Sequence, residues 1–363
     1  MKLPYLSVLI GQQTKKRINS DSQIVPSQLG TTQQQSKQTS RTKLKAITVK
    51  EFGSEDVLKL EKEQSLDKPK EKQCLVKIES AGVNPVDALI RKGFFSKECR
   101  KYTPGLDGSG VVEEAGPGSK FKKGDRVYVG KNCPNTTGTY AQYALVGDKS
   151  LHLLPDNVSF DEAAALWVAY YTAYHALIQI AGGVPGQTVL VHGASGGVGL
   201  AAVQIAKARG LRVLGTAGSQ EGLELIKKHG CQQAFNHKKE GYQQDIQKYL
   251  DGSPLNIILE MAAGYNLDSD LDLISANGTI VIIGSHGNLQ VTPVKIMMKT
   301  ATIRGVVLGK ISDEQSREVD SAVFAGLQNG SLKPIIQSAS LPDAPLVSLR
   351  LQLFKCLGVD CSE

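Results

Sequence analysis

The spacing of apolar residues changes character near the middle of the chain. From residue 45 to about 143 they fall in short groups: Ala46, Ile47 and Val49; Leu75, Val76 and Ile78; Val111 and Val112; Val127 and Val129. Turn residues separate the groups, as in Pro104-Gly105 and Lys123-Gly124-Asp125. Short strands at this spacing predict a partly open β-barrel. Residues 61–72, charged and proline-containing, read as a loop between the first two strands. From Thr188 to about Leu308 the rhythm differs. Branched apolar runs at Val189, Val213, Phe235, 257–259, 280–283 and 303–308 alternate with helical stretches. That alternation predicts an α/β domain with a parallel, doubly wound sheet.

Residues 163–182 join the two patterns and contain no Asp, Glu, Lys or Arg. Tyr170, Tyr171, Thr172, Tyr174, His175 and Gln179 interrupt the run, so it reads as a helix buried between domains rather than a membrane span. Ser159 and Glu162 have the spacing of a capping box that would start it.

A chain of 363 residues is expected to form two domains. The boundaries read as a basic, disordered extension over 1–43, a first domain over 44–165, a second over 166–308, and a return to the first over 309–363. The net charge of +7 belongs to the extension: residues 1–45 hold eight Lys/Arg and one acid, and the rest is balanced at 34 each. Residues 1–43, rich in Gln, Ser and Thr, suit a disordered tail or a mitochondrial presequence. The six cysteines are scattered and form no CxxC, which suggests reduced thiols in a cytosolic or matrix setting.

The most informative stretch is residues 186–207. A strand ending in Val189-Leu190-Val191 runs into Gly193-Ala194-Ser195-Gly196-Gly197. A helix follows with Val198, Ala201, Ala202 and Ile205 on its apolar face. Glycines let the backbone approach a diphosphate, and the free N–H groups of the helix start point at the anion. The dinucleotide fingerprint is imperfect, with Ala194 where the first glycine stands, but the strand–turn–helix–strand context supports it.

Gly186-Gln187, Leu190, Ala194-Ser195-Gly196-Gly197, Gly199, Gln204 and Lys207 resemble the quinone oxidoreductases of the zeta-crystallin type. These form a zinc-free branch of the medium-chain dehydrogenases/reductases, and the resemblance spans roughly residues 44–337. It implies a GroES-like barrel as catalytic domain and a Rossmann domain that binds NADPH. Ser195, Gly196, Gly197 and Val198 would then surround the diphosphate. Gly218, Ser219 and His237 would contact the adenosine end. Asn266 and Ile283, Gly284, Ser285 and His286 would complete the cofactor site, although relatives often carry Arg where His286 stands. Asn84, Asp87 and Thr172 would line the substrate pocket beside the nicotinamide.

The cofactor choice also follows from the residues. An NAD enzyme usually places an acid at the end of the second strand, about 20 residues into the motif. Here Gly215-Thr216-Ala217-Gly218-Ser219-Gln220 has none, and the first acid is Glu221. A small hydroxylated loop accommodates a 2′-phosphate that a carboxylate would repel. Zinc is disfavoured, because Gly105-Leu106-Asp107 replaces the Gly-His-Glu of zinc-dependent relatives and no closely spaced cysteines are present.

The resulting expectation is an NADPH-dependent quinone reductase, with an enone or enal reductase as the alternative enzyme. The resemblance also raises AU-rich RNA binding or a structural, crystallin-type role, and association into a homodimer or homotetramer with 302–308 as an edge strand. Leu89 and Phe95 stand where relatives often carry Tyr, so a proton donor is missing unless the loop bearing Tyr102 folds inward. Enone turnover is therefore expected to be weak beside quinone turnover. Sequence beyond about Ser338 departs from the family, and an ending of another kind would leave apolar surface uncovered.

Overall fold

The computed structural model describes residues 42–130 and 136–336, and the backbone of 338–339 and 351–353. The expectations for residues 1–41 lie outside the described residues. In the first half, β1 (Thr42–Thr48) and β2 (Lys59–Leu66) form an antiparallel ribbon. Most of β2 was expected to be a loop, because its residues are largely charged. It is a strand whose side chains stay mostly in water, and its regularity comes from backbone pairing with β1. Lys50 and Lys101 both pair with Glu61, at 3.2 and 2.6 Å.

The barrel sheet is built on β3 (Gln73–Val83), followed by α1 (Pro85–Arg91), β4 (Asp107–Ala115), β5 (Arg126–Val129), β6 (Tyr143–Gly147) and β7 (Leu151–Leu153). β3 pairs with β4 and β6, and β5 joins β4 to β7. Its core gathers Val76, Ile78, Val112, Val127, Ala144 and Val146, as alternation along the strands requires.

The uncharged run between the halves is helical and buried, as expected, but it is not one regular helix. The Ser159 capping box forms, with Glu162 N donating to Ser159 Oγ at 3.2 Å, yet it opens only one turn, α2 (Phe160–Ala163). π-helical turns at Trp167–Tyr171 and His175–Ile180 then flank α3 (Thr172–Tyr174). No helix among the described residues is long and apolar enough to cross a membrane.

The second half alternates strand and helix throughout: β8 (Thr188–Val191), α4 (Gly197–Ala208), β9 (Arg212–Ala217), α5 (Gln220–His229), β10 (Gln233–Asn236), α6 (Tyr242–Leu250), β11 (Ile257–Glu260), α7 (Ala263–Leu273), β12 (Thr279–Ile282), α8 (Pro293–Lys299) and β13 (Thr302–Gly305). The strands are all parallel, in the order β10-β9-β8-β11-β12-β13. All four β8 residues are buried, which is why the strand reads as a continuous apolar run. Val189 and Val191 pack on the α4 side, and Leu190 packs on the α6 and α7 side. The last strand ends at Gly305, short of the expected 308.

The chain returns through α9 (Asp313–Gln328). Two short strands follow, β14 (Ser338–Ala339) and β15 (Leu351–Leu353), and β15 pairs in parallel with β3 at Gly82 and Val83. Although the sequence beyond about Ser338 departs from the family, backbone from this region extends the barrel sheet.

Candidate active site

The order of the parallel strands reverses between β8 and β11. In an open α/β sheet that crevice, at the strands' carboxyl ends, is where ligands bind. The residues expected to hold a cofactor gather there. β8 ends in Gly193, whose φ of 57° is left-handed. Its carbonyl accepts from Gly196 N at 3.0 Å, and α4 starts at Gly197. A Cβ on Gly199 would lie 2.4 Å from Gly193 O and 2.6 Å from Ala194 Cα, so only glycine lets α4 sit this close to the turn. Gly284 is equally constrained, because a Cβ there would lie 2.4 Å from Met261 O. Ile283 continues from β12, and Ser285 and His286 beyond it are exposed.

At the end of β9, Gly218 faces His237 and Lys238. A Cβ on Gly218 would come within 2.8 Å of His237 Nε2 and 3.1 Å of Lys238 Cε. Ser219 caps α5, accepting from Gly222 N at 3.1 Å. Glu221 is drawn onto the same helix start: its own backbone N–H and the Ser219 hydroxyl hold its carboxyl below the usual range. Asn266 is turned inward, its amide donating to both oxygens of Glu260 at 3.3 Å.

Beneath the turn lies a buried polar cluster that no local motif announces. His192 Nε2 is 2.9 Å from Asp270 Oδ1 and 3.7 Å from Glu260 Oε2. His192 Nδ1 is 3.4 Å from Thr216 Oγ1, and that oxygen accepts from Gly193 N at 3.1 Å. Burial pushes Glu260 and Asp270 each up to about 7 and lowers His192. The cluster holds Gly193 from below and does not line the substrate cavity described next.

Asn84 and Asp87, expected on the substrate side, lie at the end of β3 and the start of α1. Asn84 is the N-cap of α1, and the Asp87 carboxylate reaches back to accept from its backbone N–H at 2.8 Å. Tyr140 Oη donates to the same Asp87 oxygen at 3.1 Å. The Asn84 amide donates to Asp107 at 2.9 Å, and Val168 N donates to Asp107 from the π turn at 3.1 Å. Burial pushes Asp87 up to about 6 and Asp107 up to about 7, against these hydrogen bonds, which favour the charged forms. A cavity of about 450 Å³ opens beside this group, walled by Asp87, Ile90, Tyr102, Leu106, Val129 and Thr137.

Asn84 and Asp87, both expected here, are thus brought together. Thr172 is buried at the first position of α3 and is not among the residues lining the cavity. Sequence reasoning missed Asp107 and Tyr140 as members of this group. The signal for Asp107 was an acid opening the glycine-rich strand Asp107-Gly108-Ser109-Gly110; Tyr140 carried none. The sequence left open whether the loop bearing Tyr102 folds inward. Phe95 is largely exposed, but Tyr102 folds inward onto the cavity wall.

Comparison with known proteins matches this geometry. Residues 70–156 match the family described as alcohol dehydrogenase GroES-like domain, and residues 197–323 the one described as zinc-binding dehydrogenase. The quinone oxidoreductase of Homo sapiens is 43% identical over 297 residues, covering 81% of this chain and 89% of that protein. The solved quinone oxidoreductase of Pseudomonas syringae is similar with a TM-score of 0.72 at 26% identity, covering 80% of this chain and 90% of that one. That of Escherichia coli, complexed with NADPH, shares the fold with a TM-score of 0.72 at 24% identity, covering 81% and 90%. On sequence and on architecture, the chain belongs to the quinone oxidoreductase family of the medium-chain dehydrogenases/reductases.

Proposed function

We propose that the protein is an NADPH-dependent reductase of small quinones, with enones and enals as its second class of acceptor. The observation that carries this reading is the cavity itself. A raised carboxyl and a phenol share the cavity wall with Ile90, Leu106 and Val129 on one hand and Gln64, Lys101 and Thr137 on the other, in a chain 43% identical to human quinone oxidoreductase. The apolar part of the wall suits a flat carbonyl compound, and the polar groups would fix its orientation.

The residues fit a bound NADPH. The glycine turn at 193–197 and the start of α4 would receive the diphosphate, which the close approach of Gly199 leaves room for. Gly218, Ser219 and His237 would receive the adenosine end, where Lys238 adds positive charge and the nearest carboxylate in sequence, Glu221, is drawn back onto the start of α5. Asn266 and Ile283, Gly284, Ser285 and His286 would border the nicotinamide half. Bound there, NADPH supplies a hydride. On the other side of the reaction, Asn84 and Tyr140 hold the Asp87 carboxyl at the cavity wall. Thr172 would border the same region from α3. Leu106 takes the wall position that a zinc ligand holds in zinc-dependent relatives, so the polarising groups would be side-chain donors.

The sheet edge supports self-association. Among the described residues β13 pairs only with β12, and beside it Val294, Met297, Met298 and Val307 are exposed. A second copy of the chain is the natural partner for such an edge. The decisive test of function is NADPH oxidation against a panel of ortho- and para-quinones, enones and enals. Turnover of none of them would refute the reading.

A further inference from the structure

Tyr102 sits on a segment with no regular structure, yet its backbone is pinned. Its N–H donates to Val49 O at 3.0 Å, and its carbonyl accepts from Val49 N at 2.9 Å, forming an isolated bridge to a fully buried residue. The segment is therefore fixed at this residue. Tyr102 forms wall in two adjoining cavities, the 450 Å³ chamber with Asp87 and a second of about 420 Å³ lined by Phe52, Ile90, Phe95 and Cys99. Its hydroxyl is buried and has no hydrogen-bond partner among the described residues. Buried hydroxyls almost always have one, and an exception at a cavity wall calls for an explanation. The other phenol of this region is not in that position, because Tyr140 already donates to Asp87.

We propose that Tyr102 is a catalytic residue: its hydroxyl binds the carbonyl oxygen of the acceptor and delivers the proton that completes the reduction. The inference rests on the quinone and enone reductase reading above. When a hydride from the nicotinamide adds to an enone's β-carbon, the electron pair of the C=C bond moves toward the carbonyl and the oxygen becomes an enolate. The Tyr102 O–H bond breaks, its proton forms the enol O–H, and the enol tautomerises to the saturated ketone. For a quinone, the same proton converts the hydroquinone monoanion to the hydroquinone. In both cases the phenolate recovers its proton from water, and the hydride is the only reductant consumed. A phenol suits this task because burial and the nearby Asp87 keep it protonated across the neutral range.

The test is Tyr102→Phe, which keeps the ring and removes one oxygen. We expect kcat/KM for a simple enone such as methyl vinyl ketone to fall by about 10²-fold. For 9,10-phenanthrenequinone the fall should be about tenfold or less, because water readily protonates a hydroquinone anion. A solvent isotope effect on enone reduction should be present in the native chain and altered in the variant. Two readouts are independent of turnover. NADPH affinity by fluorescence titration should be unchanged, and the melting temperature should stay level or rise, because an unpartnered buried hydroxyl is removed. Unchanged enone turnover in the variant would overturn the role of Tyr102 while leaving the reductase reading intact. A marked fall in melting temperature would instead make the hydroxyl structural. If the native chain reduces neither acceptor, the reductase reading and this inference fall together.

Discussion

The two sides of the crevice are built from different materials. On the cofactor side the ligand-facing surface is mostly backbone: the 193–197 turn, the start of α4, and glycines at 199, 218 and 284, two of which face backbone atoms closer than any Cβ tolerates. On the proposed substrate side it is side chains: Asp87 and Tyr102 line the cavity, and Asn84, Asp107 and Tyr140 form the buried network behind Asp87. A backbone surface is specified by what must be absent, namely a Cβ. A side-chain surface is specified by partners that must meet. The first should respond to added volume, and the second to changes of charge and protonation.

The largest expected effect is on the side-chain half. Asp107 is fully buried and pushed up to about 7. Its folded value lies above its unfolded value, so its stabilising contribution is full below about pH 4 and is lost as pH rises through about 7. The amount at stake is on the order of 4 kcal/mol. Asp107→Asn mimics the protonated carboxyl, with one acceptor for Asn84 or Val168. We expect melting temperature to decline between pH 4 and 7.5 in the native chain and to decline clearly less in the variant. Equal slopes would show that Asp107 does not titrate in this window.

The backbone half is probed by Gly199→Ala. The new Cβ would meet Gly193 O and Ala194 Cα, atoms that cannot move without moving the turn. Overpacking of this kind costs about 1–3 kcal/mol. Urea unfolding should register that loss, and NADPH affinity should fall with it if the displaced turn is the diphosphate site, as proposed. A variant with native stability and affinity would remove the argument that the helix needs glycine here.

How legible each half was follows from the same distinction. The Rossmann half declared itself because its glycines and its two-sided apolar strands are local patterns; residues 188–199 contain strand, turn and helix start in one reading frame. The substrate half depends on meetings across the chain. Tyr140 reaches Asp87 over a separation of 53 residues, and Asn84 reaches Asp107 over 23. No spacing rule encodes either. Asn84 and Asp87 were legible only through the family resemblance, and the structure sets them on one helix start. β2 was misread because pattern reasoning seeks alternate burial, and its side chains are mostly exposed. The π turns were invisible because a wide turn has no composition of its own.

A smaller effect is expected where the two halves of the comparison meet, at Ser219. This residue sits in the cofactor crevice but acts through its side chain. Ser219→Asp preserves the cap, because Asp accepts from the helix N–H groups as well as Ser does. It also places a carboxylate where a 2′-phosphate would lie. We expect the preference for NADPH over NADH, measured as a ratio of Kd values, to fall about tenfold, which corresponds to about 1.4 kcal/mol. An unchanged ratio would mean that the phosphate is bound elsewhere.

The smallest effect, and the sharpest test of the distinction, is expected at Gly218. A Cβ here would also come under 3 Å from a neighbour, 2.8 Å against 2.4 Å at Gly199, but the neighbour is the tip of the His237 ring, with Lys238 Cε next at 3.1 Å. Both are ends of side chains that can swing, and Gly218 is not among the positive-φ glycines, so a methyl brings no backbone strain. Gly218→Ala should therefore leave stability within about 0.5 kcal/mol of native. NADPH affinity should still fall, by about three- to tenfold (about 0.7–1.4 kcal/mol), because His237 and Lys238 are turned away from the adenosine end. Paired with Gly199→Ala, this separates two kinds of glycine in one crevice: one that admits backbone and one that admits side chains. If Gly218→Ala unfolds in urea as early as Gly199→Ala, the nature of the neighbour does not decide the cost, and the contrast between the two surfaces fails at its most favourable point.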